Sequence, residues 1–144
     1  MGEDKYETDF YGWANEQADL LRTRRLNEAD LDNIAEEIES MGRSEKRELV
    51  NRLAVLLTHL LKWQFQPGLR STSWRLTVIE QRKRLARHLQ DNPSLKPNLP
   101  DAMMGAYDLA RLMSQRETGL ADSAFPATCP YSFEQASDEQ FWPA

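Results

Sequence analysis

The sequence predicts an all-α fold, an antiparallel bundle of about five helices finished by a short C-terminal helical turn and a tail. Three observations lead there. Apolar residues recur at three- and four-residue spacings in segment after segment. Proline, glycine and an Asp-Asn-Pro turn signal separate those segments. No alternating run rich in β-branched residues, bounded by Asn-Gly or Asp-Gly, reads as a strand. A length of 144 residues suits one helical domain over 1–144, since a chain of this size buries about 68–70% of its unfolded surface.

The first helix is expected over 8–24, capped by Thr8, with Phe10, Trp13, Ala14, Leu20 and Leu21 on its apolar face and Gln17 in the middle of it. A second is expected over 30–41, with Leu31, Ile34, Ala35, Ile38 and Met41 on one side and Gly42 closing it. Ser44 then caps a third helix over 44–66, stopped by Pro67 and Gly68. The turn between these two is about two residues, which predicts an antiparallel hairpin. A fourth helix over 73–90 starts from Ser71 or Ser73, and a fifth over 99–118 closes at Gly119. The tail, 120–144, holds three prolines and a helical turn starting near Ser132, and Phe125, Pro126, Pro130 and Trp142 are expected to fasten it over the bundle.

Composition excludes several classes of protein. With 40% apolar and 28% charged residues the chain is globular in character. Its longest apolar stretch is interrupted by Thr58, His59 and Lys62, so no membrane span is expected. The opening MGEDKYETDF lacks the apolar core of a secretory signal, and Tyr6 stands where a myristoylation pattern wants Ser or Thr. Cys129 is the single cysteine, which rules out an internal disulfide and makes a cytoplasmic, reducing setting the expectation. One cysteine and two histidines do not suit the common structural zinc sites. No Gly-rich phosphate loop, Cys-x-x-Cys pair, His-Glu-x-x-His helix or serine elbow is present, so neither a metal nor a cofactor is expected.

The net charge of −5 is unevenly spread. Residues 28–48 carry eight acidic groups against Arg43, Lys46 and Arg47, whereas 62–88 carry Lys62, Arg70, Arg75, Arg82, Lys83, Arg84 and Arg87 against Glu80. Either the segments face each other or the basic one faces an anionic partner.

Inside NRLAVLLTHLLKWQ, at 51–64, polar residues share a stripe. Glu48, Arg52, Val55, His59, Lys62 and Gln66 follow one another at spacings of 4, 3, 4, 3 and 4, while leucines cover most of the remaining circumference. The preferred reading is a solvated face, with Glu48 and Arg52 paired and Lys62 extending into water. The sharper one is a cleft in which His59 moves protons and Arg52 and Lys62 hold an anion. On the acidic segment Glu36 lies opposite the apolar face and Glu37 borders it, which makes both binding candidates. A carboxylate metal site built on them and His59 is conceivable, because bundle cores host such sites, but it lacks the Glu-x-x-His spacing of the di-iron type. On the fourth helix Arg75 and Arg82 flank the inner face, ready to pair with a carboxylate of the acidic segment, and Arg84 and Arg87 point outward. A sequence pI near 5.1 makes nucleic acid the less favoured partner of that basic face.

Several separated blocks are similar to one bacterial family, domain of unknown function 29: TDFYGWANEQADLLR at 8–22, LDNIAEEIESMGRSEKRELVNRLAVLLTHLLKWQFQP at 31–67, SWRLTVIEQR at 73–82, NPSL at 92–95, ETGL at 117–120 and FPATCPYSFEQ at 125–135. The resemblance implies an all-helical fold with Trp13, Glu36, Glu37, His59, Lys62, Trp63, Trp74, Gln81 and Arg82 at motif positions. It implies no activity. The tryptophans fall on or near apolar faces, where a structural role is preferred. A second resemblance is narrower: the spacing of Arg52 and His59 is similar to the arginine and histidine signature of HEPN ribonucleases, which implies metal-independent RNA cleavage with His59 transferring protons and Arg52 stabilising phosphate charge. The favoured expectation is an interaction or regulatory module without catalysis, whose partner is another protein or a second copy of the chain. The ribonuclease is the alternative.

Overall fold

Among the described residues, 2–144 with side chains from Lys5 onward, the computed structural model contains six α-helices and no strand. They are α1 (Gly2–Thr8), α2 (Phe10–Arg22), α3 (Leu31–Phe65), α4 (Thr72–Asp91), α5 (Leu99–Thr118) and α6 (Phe133–Ser137). The all-α expectation holds. The residues fall into two compact units, one reaching Ser44 and the other spanning Glu45–Ala144.

The expected helices over 30–41 and 44–66 are one. α3 continues through Gly42 and Ser44 for 35 residues, so the expected hairpin between them does not form. Gly42 does not take the left-handed conformation of a helix-ending glycine; among the described glycines only Gly119 has positive φ. A glycine inside a helix costs about 1 kcal/mol relative to alanine, too little to break a helix whose neighbours are good helix formers. Arg43 also pairs backward with Glu36 at 2.9 Å and Glu39 at 3.9 Å along the same helix.

The first unit consists of α1, α2 and the opening turns of α3. Asp9, and not Thr8, caps α2: its carboxylate accepts from the Gly12 backbone N–H at 3.1 Å. The polar residue in the middle of the apolar face now has a purpose. Gln17 is buried and its Oε1 accepts the backbone N–H of Asp30 at 2.7 Å, satisfying a donor at the start of α3. The Trp13 indole donates to Asp30 Oδ2 at 3.0 Å. The side-chain amide of Asn33, then that indole and the Asn33 backbone, hold the Asp30 carboxyl below its usual value despite some desolvation. Tyr6 of α1 packs on Trp13 with ring centroids 4.6 Å apart.

In the second unit the helix-breaking pair Pro67-Gly68 reverses the chain, and Ser71 caps α4 by accepting from the Trp74 N–H. His88, late in α4, lies beside Glu45 and Glu48 of α3, which makes the two helices antiparallel. Two contacts align α5 with α3 in the same direction: Thr58 with Met113 and Lys62 with Glu117. The resulting up, down, up arrangement encloses Leu49, Leu53, Leu56, Leu57, Leu60, Leu61, Val78, Leu85, Ala106 and Ala110. α5 ends at Gly119, whose φ of 75° suits a residue without Cβ.

The tail packs on this core. Phe125 meets Phe65 edge-on, the Tyr107 hydroxyl donates to Pro126 O, Tyr131 reaches Leu60 O and Gln64, and Trp142 lies against Trp63 at 4.7 Å. A capping box on Ser132 and Gln135 starts α6.

Candidate functional site

The polar stripe of α3 divides among separate partners. Arg52 donates to Glu48 Oε1 at 3.2 Å. His59 is half-buried and its Nδ1 lies 2.8 Å from Val55 O, where it must donate. Burial pulls its pKa below the ordinary histidine value, the Val55 bond opposing. Lys62 does not extend into water: its side chain is 7% exposed, its ammonium is 2.9 Å from Glu117 Oε1, and it sits over the Trp74 ring at 4.7 Å. Carboxylate and ring together compensate the desolvated charge.

Arg52 belongs to a shallow cleft of about 290 Å³ between α3 and α4, lined by Glu48, Arg52, Lys83, Arg84, Arg87, His88 and Asp91. His59 is not among its lining residues, although the ribonuclease chemistry needs both side chains at one scissile phosphate. Within the cleft Arg84 pairs with Glu80 at 3.0 Å and Arg87 approaches Asp91 at 3.9 Å. His88, which sequence reasoning passed over, is the buried member. Its Nε2 lies 2.9 Å from Glu45 O, and its Nδ1 lies 2.8 Å from Glu48 Oε2 and 3.7 Å from Glu45 Oε2. A signal existed, because His88 adjoins Leu85 and Leu89 on the inner side of α4. It points nowhere while the 44–66 segment is expected to pair with 30–41.

Arg82 does not pair with the acidic segment. It is buried, and it donates from Nε to Ala136 O at 2.8 Å and from Nη2 to Phe141 O at 2.7 Å, with its guanidinium 5.3 Å from the Trp142 ring. Desolvation lowers its pKa, opposed by Asp138 and Glu139. The planar fork suits two carbonyls at once, which a lysine cannot match. Arg75 is exposed. In the first unit Glu36 holds Arg43, and Glu37 accepts a short hydrogen bond from the Tyr6 hydroxyl, which pushes that phenol up to about 12.

Two apolar surfaces complete the inventory. Along α3, Leu31, Ile34, Ile38 and Met41 follow a 3, 4, 3 spacing, and Leu31, Ile38 and Met41 are 50%, 59% and 62% exposed. Between α5 and the tail runs a groove of about 550 Å³, whose lining includes Leu99, Met103, Met104, Tyr107, Tyr131 and Phe133.

These features define a helical protein with a charged cleft, a clasped tail and an exposed heptad-like seam. The chain belongs to the family described as Domain of unknown function DUF29, which matches residues 5–142. No curated protein and no solved structure matches it. No helix among the described residues is long and apolar enough to cross a membrane.

Proposed function

We propose that the protein is a helical interaction module without catalysis of its own, acting through self-association along α3. The observation that carries this reading is the exposed seam of Leu31, Ile38 and Met41. An a/d-type apolar stripe on a soluble helix is ordinarily covered by another helix. A second copy supplies such a helix, because a two-fold axis sets the same stripe of each copy against the other. A cytosolic, reducing setting is part of the reading and draws on the lone Cys129.

Sedimentation velocity across the micromolar range tests it. The wild type is expected to form dimers, and the double variant Ile38→Glu, Met41→Glu monomers with unchanged helical circular dichroism. A wild type that stays monomeric throughout, or a variant that dimerises equally well, refutes the seam as the interface.

A further inference from the structure

We infer that Glu45, Glu48 and His88 form a site for one divalent transition-metal ion of the zinc or manganese kind. Glu45 and Glu48 are one turn apart on α3, and His88 meets them from α4. One ligand atom from each lies within 4.8 Å of the others. The imidazole, 6% exposed, is held almost wholly out of water.

Hydrogen bonding decides the chemistry of that ring. Nε2 faces the carbonyl oxygen of Glu45 at 2.9 Å, an acceptor only, so Nε2 carries a proton. In the neutral ring this leaves Nδ1 with a lone pair, directed at Glu48 Oε2 at 2.8 Å and Glu45 Oε2 at 3.7 Å. Lone pairs on a nitrogen and two carboxylates cannot share so small a space unless something positive lies between them. The occupant is a metal ion or a second ring proton.

Two features favour the ion. A metal-binding histidine typically donates its other ring N–H to a backbone carbonyl, which sets the tautomer and the ring plane, and Nε2 does this. Metal bonds near 2.1 Å place neighbouring ligand atoms about 3.0–3.4 Å apart, and Nδ1 stands 2.8 and 3.7 Å from the two oxygens, with all three atoms within 4.8 Å of one another. Nitrogen with oxygen donors selects zinc, manganese or a similar ion over calcium or magnesium. Arg52 holds the far oxygen of Glu48, which keeps Oε2 as the ligand. Glu48 and His88 also line the basic cleft.

The experiment strips the full chain with chelator and titrates it with zinc chloride by calorimetry, with cobalt(II) absorption as a spectroscopic check. One ion per chain is expected. Glu45→Gln and Glu48→Gln, both substitutions of half-exposed side chains, are each expected to weaken binding about tenfold or more. Because His88→Ala opens a buried position, nitrogen-15 NMR of the wild-type imidazoles replaces it: zinc should shift His88 Nδ1 and leave His59 unmoved. Absence of zinc binding by wild type, binding unaltered in the Glu45→Gln, Glu48→Gln double variant, or a shift confined to His59 would overturn the site and leave the second ring proton as the occupant.

Discussion

The two ends of α3 are built from the same kinds of residue to opposite ends. From Leu49 to Leu61 every leucine is fully buried. From Leu31 to Met41 the large apolar residues follow an equally regular spacing, yet Leu31, Ile38 and Met41 are at least half exposed. One end is a core element and the other carries an unfilled surface, which shows that periodicity reports which residues share a face and not whether that face is covered.

The contrast is broken most directly at its strongest point. Leu57→Ala should cost about 2–5 kcal/mol in urea unfolding, as for other leucines in closed cores, while Ile38→Ala should stay within about 0.5 kcal/mol for the monomer. Equal losses would erase the distinction between the ends. Next is Arg82→Ala, which strands the carbonyls of Ala136 and Phe141 and should cost about 2–3 kcal/mol. Arg82→Lys should recover little of it, and limited proteolysis should cut first within the tail.

Gly42→Ala sharpens the comparison where the two ends meet. An added Cβ meets nothing within 4 Å, so a continuous helix gains about 0.5–1 kcal/mol. A loss on calorimetric melting would instead mean that the chain turns there. The smallest effect is titration of Asp30. Its folded pKa is depressed below 3.8, so its stabilising contribution is complete above that value and fades as pH falls through the lower folded one. Asp30→Asn should remove this acid-range step, read from the indole N–H resonance of Trp13, without touching a Leu61 methyl signal.

Much of the fold was legible because its determinants are local. Ser71, Gly119 and Ser132 act within three or four residues of themselves, and they mark the ends of α4, α5 and α6 where the structure has them. Gly42-Arg43-Ser44 imitates the same punctuation. What separates it from a true stop is the balance of a modest glycine cost against the propensity of both flanks, which no single residue displays. The site was less legible. By sequence, Arg52 groups with His59 and Lys62, and Arg84 and Arg87 fall on an outward face, whereas the cleft joins Arg52, Arg84 and Arg87 to His88, which acquires meaning only once α4 lies antiparallel to α3. The acceptors of Arg82 lie 54 and 59 residues further along the chain, and no spacing rule reaches that far.

That reach also bears on the order of events during synthesis. The bonds that tie the first unit, Trp13 to Asp30, Asp30 to Gln17 and Tyr6 to Glu37, span 17, 13 and 31 residues. A nascent chain can close all of them soon after residue 37 leaves the ribosome. The Arg82 guanidinium has no such early partner. It waits in a half-built core until Ala136 and Phe141 are translated, so during that interval the second unit is the one exposed to chaperones and proteases.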